Sequence, residues 1–251
     1  MLFGLQQAVI NAAFRPLRSL PGPFSLALNK CSCHFPPARN ADGGEQRVLL
    51  LYAHPVHEGS SYSCALRDAV VSALKDRGHD VRVADLYAEG FEAALSAEEL
   101  RTYMTAYREG ALAPAVAAHV ESLRWAQGLV FVYPTWWYTP PAILKGWFDR
   151  CLCPGATFDM PDGTTPTNPN TGVISRLTNI KRIGVVSTYG NQWQHVQYVG
   201  DPGRRLISRG LRAICHPDCS VLWLGLHGVE TCAQERRSAF LEHVRQEFSW
   251  F

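Results

Sequence analysis

Three short stretches concentrate the polar and aromatic side chains best suited to binding and reaction. From His54 to Ser63 the chain reads His-Pro-Val-His-Glu-Gly-Ser-Ser-Tyr-Ser and runs into a helical period. Serine hydroxyls and unpaired backbone N–H groups at a helix start form an anion site, so Ser61, Tyr62 and Ser63 suit a phosphate. Pro134, Thr135, Trp136, Trp137 and Tyr138, followed by Thr139-Pro140-Pro141, set three consecutive aromatics between prolines. Three large rings in a row cannot all enter one core. They suit a wall against which a flat conjugated ring stacks, with stiffened backbone offering N–H groups to its heteroatoms. The run Ser187, Thr188, Tyr189, Gly190 and on to His195 adds small residues, donors and further aromatics. Phosphate at one stretch and a planar ring at the other two describe a flavin.

Other chemistries lack their signatures. Neither G-x-G-x-x-G nor G-x-x-x-x-G-K-[ST] occurs after His54, which removes the dinucleotide and P-loop fingerprints. The eight cysteines include Cys31/Cys33, Cys151/Cys153 and Cys215/Cys219, yet no paired CxxC, so no metal site and no disulfide framework are expected.

These stretches need a frame that brings them together. Short apolar runs at Val48–Ala53, Val81–Leu86, Leu129–Tyr133, Ile183–Ser187 and Ser220–Leu226 read as buried strands. Helical periods lie between them. Cys64–Arg77 closes at Gly78, Ser96 and Glu99 form a capping-box pair, and Pro114 opens a further helix. Pro141–Cys151, Gly203–Ile214 and Ala233–Phe248 complete the set, with Asp201 as an acid at a helix cap and Lys145 and Arg150 on a solvated face. Five strands alternating with helices predict an α/β fold, a doubly wound five-stranded parallel sheet with helices on both faces. Ligands sit at the carboxyl ends of such strands, where the three stretches fall.

Composition agrees with a small-molecule binder. The 251 residues are 18% charged and 47% hydrophobic, and the apolar runs are far shorter than the ~20 residues of a membrane span. Arg15, Arg18, Lys30 and Arg39 are the only charged side chains of residues 1–41, and setting those four aside turns the net +2 into −2. A near-neutral body argues against a nucleic-acid partner. Residues 1–46 are punctuated by prolines and form a basic extension, a transit peptide or a disordered tail, in which Leu2, Leu5, Val9, Ala13 and Leu17 recur at helical spacing. The domain is expected over 47–251. Its location is read as the cytosol, with the mitochondrion as the alternative if the extension is a transit peptide.

Ala142-Ile143-Leu144-Lys145-Gly146-Trp147-Phe148-Asp149-Arg150, with Asp85-Leu86-Tyr87-Ala88 and the Ala53-His54-Pro55 opening, resembles the NAD(P)H quinone dehydrogenases of DT-diaphorase type. The resemblance implies a flavodoxin-like fold with strand order 2-1-3-4-5 and a homodimer with shared active sites. It further implies FAD, with FMN as the alternative, and ping-pong hydride transfer from NAD(P)H through flavin N5 to a quinone. His54 matches the family histidine near the flavin phosphates, and Ser61, Tyr62 and Ser63 match its helix start, Ser63 replacing an asparagine. Pro134 to Tyr138 match the stretch facing the isoalloxazine, and Ser187 to Gly190 match the turn beside its pyrimidine end. The family's charge-taking tyrosine and histidine stand six apart. Here Tyr189 and His195 have that spacing and are the catalytic candidates, while Val199 precedes the retained Gly200-Asp201. A flavodoxin-type electron carrier and a flavin- or nucleotide-binding regulatory subunit without turnover stay open as alternatives.

Overall fold

The computed structural model describes residues 32–35, 44–56 and 61–251. The helical pattern of residues 2–17 and positions 57–60 of the first stretch lie outside the described residues.

The buried apolar runs form strands. In chain order these are β1 (Ser32–Phe35), β2 (Arg47–Tyr52), β3 (Asp80–Asp85), β4 (Gly128–Thr135), the two-residue pair β5 (Phe158–Asp159) and β6 (Ile174–Ser175), β7 (Arg182–Tyr189) and β8 (Ser220–His227). The main sheet runs β1-β8-β7-β4-β2-β3, so the five parallel strands keep the expected 2-1-3-4-5 order. A sixth strand is added: β1, from within the stretch read as an extension, pairs antiparallel with β8, Ser32 opposite Leu224.

Alternate residues of each strand enter opposite cores, which fixes the layers. Val48, Leu50 and Tyr52 face α1 (Tyr62–Asp76) and α8 (Gln234–Phe248), while Leu49 and Leu51 face the other side. That second core is covered by α4 (Pro114–Trp125), α5 (Ala142–Cys151) and the helical run 202–214. Between β3 and α4 lie α2 (Ala97–Thr102) and α3 (Ala106–Glu109); between β7 and the 202–214 run lies α6 (Trp193–Val199). The Ser96–Glu99 capping box, Pro114 at the first helical position and positive-φ Gly78 after α1 all form as expected.

One expectation is corrected and another is refined. Arg150 is not on a solvated face: it is buried, its guanidinium bonds Glu99 at 2.6–2.8 Å and the Glu92 carbonyl, and it lies over the Phe91 ring. Only Lys145 pairs with Asp149 in the open, at 2.6 Å. Asp201 stands at the N-cap position of the helix that follows, as expected. Its φ is +46° and its side chain makes no capping bond to α7 (Pro202–Arg205), which continues through wider turns over 206–211 and a tight 212–214 turn.

Candidate functional site

Parallel pairing in register sets the carboxyl ends of β2, β4, β7 and β8 side by side, and the loops leaving them enclose a cavity of about 520 Å3. Each of the three stretches singled out in the sequence contributes to its wall.

From the first come His54, Ser61, Tyr62 and Ser63. Ser61 is the N-cap of α1, accepting the Ser63 N–H at 3.2 Å, and no acid stands in the first turn. No acid of the helix's own first turn therefore opposes the positive end of its fifteen-residue dipole. His54 Nδ1 lies 3.1 Å from the Val56 nitrogen, 2.9 Å from its carbonyl oxygen and 3.5 Å from Ser61 Oγ, which ties the ring to the loop.

From the second come Pro134, Thr135, Trp136, Trp137 and Tyr138. Trp136 N–H bonds the Thr139 carbonyl at 3.0 Å and Thr139 N–H returns to Trp136 at 3.1 Å, which closes a two-residue reversal. Its central residues have positive φ, +49° at Trp137 and +67° at Tyr138. Such turns normally hold Asn-Gly, because a side chain in this region costs about 1–2 kcal/mol per residue. Gly203 buttresses the turn, donating to the Tyr138 carbonyl at 3.3 Å; a Cβ there would lie 3.2 Å from Pro140 Cδ. The Trp137 side chain is 91% exposed at the rim, and the Trp137 and Tyr138 N–H groups bond no described residue.

From the third come Thr188, Tyr189 and Gly190. Ser187 stands behind the wall, fully buried, 2.8 Å from Thr135 Oγ1. Tyr189 is buried at the floor, where burial pushes its phenol well above the usual range, as does Asp201, against hydrogen bonding with Thr135 and Trp223. His195 does not line the cavity: it is exposed on α6, which contributes Val196 instead.

Asn191 comes from the third stretch as well; sequence reasoning missed Val196, Val229 and Glu230 in the wall, and His227 and Asp201 near Tyr189. Val229 and Glu230 leave the carboxyl end of β8, so the strand-end rule that selected three loops also covers the fourth. His227 is held neutral, its pKa depressed to about 4 by burial and by the charge of Arg236.

A family model described as the flavodoxin-like fold matches residues 46–246. The chain belongs to that family. Among curated proteins it is 36% identical over 129 residues to ribosyldihydronicotinamide dehydrogenase [quinone] of Homo sapiens, covering 46% of this chain and 55% of that one. It is 34% identical over 126 residues to NAD(P)H dehydrogenase [quinone] 1 of Rattus norvegicus, covering 45% of each. The chain thus spans about half the length of the curated relatives it matches. Among solved structures, NAD(P)H:quinone oxidoreductase from Methanothermobacter marburgensis superposes with a TM-score of 0.67 over 82% of this chain and 96% of that one, at 24% identity, which shows the shared fold. The cavity of this flavodoxin-like chain sits at the carboxyl ends of its parallel strands. Among the described residues no helix is long and apolar enough to cross a membrane, and no group of three or more His, Cys, Asp or Glu side chains could hold a metal ion.

Proposed function

We propose that this chain is a flavin-dependent NAD(P)H:quinone oxidoreductase. The observation that carries the reading is the convergence of a helix start with no acid in its first turn and a strained aromatic reversal in one cavity. The residues fit a flavin. The first turn of α1, with Ser61, Ser63 and His54, has the donors and dipole for a phosphate. The N–H groups of Trp137 and Tyr138 bond no described residue, which leaves them for ring heteroatoms, and Trp136 and Tyr138 supply aromatic faces. We take the flavin as FAD, with FMN as the alternative.

When bound, the flavin supplies the two-electron chemistry that accepts a hydride from NAD(P)H and passes it to a quinone. The chain binds, orients and excludes water. The backbone donors of Trp137 and Tyr138, which bond no described residue, stabilise negative charge as it develops on the ring system. Tyr189 lies at the floor in reach of that charge; a role for His195 requires α6 to turn its side chain inward. Exposed apolar side chains, Trp137 at the rim and Tyr198 and Val199 on α6, support the homodimer with shared sites. We place the protein in the cytosol, with a mitochondrial address in residues 1–46 as the alternative, and fractionation of the tagged full chain separates the two.

The visible spectrum of the purified protein, followed by chromatography of the released flavin, tests the cofactor. Steady-state oxidation of NADH and NADPH with menadione tests the reaction, where parallel double-reciprocal lines are the ping-pong outcome. A protein that holds flavin and oxidises neither nucleotide is the binding subunit instead.

A further inference from the structure

The first loop of the cavity turns on one backbone carbonyl. The Val56 oxygen stands 3.3 Å from the Tyr52 hydroxyl, 3.2 Å from Cys64 Sγ and 2.9 Å from His54 Nδ1. Tyr52 ends β2 and Cys64 is the third residue of α1, so both elements that the loop joins reach back to it. The same imidazole nitrogen is 3.1 Å from the Val56 nitrogen, whose N–H points at it.

His54 Nδ1 thus has two exclusive arrangements. With a proton it donates to the Val56 carbonyl; without one it accepts the Val56 N–H. A neutral imidazole carries a single N–H, so the first arrangement makes Nε2 an acceptor and the second makes it a donor. Nε2 bonds no described residue, and the ring lines the cavity with Ser61 and Ser63. An anion in that cavity is attracted by an Nε2–H and repelled by a lone pair there.

The electron pairs of the carbonyl decide between them. A carbonyl oxygen has two lone pairs. Tyr52 and Cys64 are buried, and besides the Val56 oxygen the hydroxyl reaches only Cys64 Sγ, at 3.2 Å. Sulfur is a weak acceptor, so the Tyr52 proton goes to the carbonyl and the Cys64 S–H takes the second pair. Burial and the Cys64 contact push the Tyr52 phenol well above its usual range, although Arg67, 4.9 Å from the ring centroid, works against them, so the hydroxyl stays a donor. With both pairs taken, Nδ1 accepts the Val56 N–H. Ser61 Oγ, which accepts the Ser63 N–H at 3.2 Å, has its own proton to offer the same Nδ1 at 3.5 Å.

We propose that Tyr52 and Cys64 are positioning residues that fix His54 as its Nε2–H tautomer, which makes the ring a donor to the cofactor phosphate at the start of α1. The tautomer follows from the hydrogen bonds alone; the phosphate as its occupant rests on the flavin reading above. Neither side chain touches the ligand, and each acts through Val56 and His54. Among the described residues lining the cavity there is no Lys or Arg, so uncharged donors carry more of the phosphate's binding than they would in a basic site.

The tautomer is read from the NMR shifts of the two ring nitrogens in isotope-labelled, flavin-free protein at about pH 8, above the ordinary histidine value of about 6.5. The signal missing from His54→Gln identifies the ring. In wild type Nε2 should show the shift of a protonated nitrogen and Nδ1 that of a bare one. Tyr52→Phe and Cys64→Ala each free one lone pair on the Val56 carbonyl, so either should move the pattern toward Nδ1–H; if one folds poorly, the other decides. Cys64→Ser keeps a donor and should keep the wild-type pattern. FAD, titrated by fluorescence, should bind on the order of 10-fold more weakly to Tyr52→Phe and Cys64→Ala, and to Cys64→Ser as to wild type. An Nδ1–H tautomer in wild type, or a pattern indifferent to both substitutions, overturns the proposal. So does weaker FAD binding with no change of tautomer, which is what lost packing alone would give. A tautomer that follows Tyr52 and Cys64 in a chain that binds neither FAD nor FMN sinks the flavin reading and leaves the tautomer assignment standing.

Discussion

The Tyr189 ring lies stacked on the His227 imidazole, with centroids 4.2 Å apart and planes at 17°. The two residues are cross-strand partners in β7 and β8, and Gly225 makes the stack possible, since a Cβ there would stand 3.1 Å from the Tyr189 ring. An imidazole covered by a ring on one face and approached by Arg236 loses its proton readily, which is why its pKa falls to about 4.

That depression makes stability depend on pH. Between about 6.5, the unfolded value, and 4 the unfolded chain protonates His227 and the folded chain does not. The unfolded state then binds more protons, so stability rises with pH across this window and is lost as pH falls through it. Going from pH 7 to pH 5 should cost about 2 kcal/mol from this residue. Urea midpoints at the two pH values check it: His227→Phe, which keeps a ring in the stack, should lose clearly less than wild type. An equal loss in both would assign the pH dependence elsewhere.

Gly146 inverts the usual helix rule. Exchanging a mid-helix glycine for alanine ordinarily gains about 0.5–1 kcal/mol. At Gly146 of α5 a Cβ would stand 2.1 Å from the Ala93 carbonyl oxygen and 2.5 Å from its Cα, and backbone cannot swing aside as a side chain does. Overpacking wins, and Gly146→Ala should destabilise by about 1–3 kcal/mol. Chemical denaturation decides it, and a stabilised variant would show that α5 can slide away from residue 93.

The frame was legible in the sequence because burial on both faces writes continuous apolar runs, as at Val48–Tyr52 and Leu129–Tyr133. The cavity-lining loops were legible because the strand-end rule needs only those runs. What stayed hidden depends on contacts distant in the chain. Trp137-Tyr138 carries no turn signal, since the reversal is held by Gly203 packing from 65 residues further on, not by Asn-Gly. Asp201 reads correctly as a helix-start residue, but its positive φ and the missing side-chain capping bond show only in the folded chain. Ser32–Phe35 reads as tail because a four-residue edge strand is recognisable only beside β8.

Arg150 gives a test of burial against exposure. Its guanidinium ties α5 to Glu99, and the same carboxylate accepts the Ser96 N–H at 2.9 Å in the capping box. Although burial opposes its charge, these bonds to Ser96 and Arg150 hold the Glu99 pKa below the ordinary value. Glu99→Ala strands a guanidinium that is 8% exposed and should cost about 2–4 kcal/mol. Lys145→Ala, which removes the exposed pair with Asp149, should change stability by less than about 0.5 kcal/mol. Denaturation of the two variants ranks them, and similar losses would mean that Arg150 finds water or another acceptor.

Trp137 sets stability against binding. Its φ of +49° suits asparagine better than any aromatic, and its side chain is 91% exposed, so the fold gains almost nothing from the indole. Trp137→Asn should therefore raise the unfolding free energy by about 0.5–1 kcal/mol. The backbone N–H groups of the turn remain where they are, so any lost affinity reports the aromatic face alone. A stacked ring contributes about 0.5–1.5 kcal/mol beyond its buried area, which corresponds to flavin binding weaker by roughly two- to tenfold. Flavin fluorescence titration and thermal unfolding of one preparation measure both effects. A variant that gains stability with unchanged flavin affinity would leave the stacking to Trp136 and Tyr138 alone. One that loses stability would show that the indole packs on the rim after all.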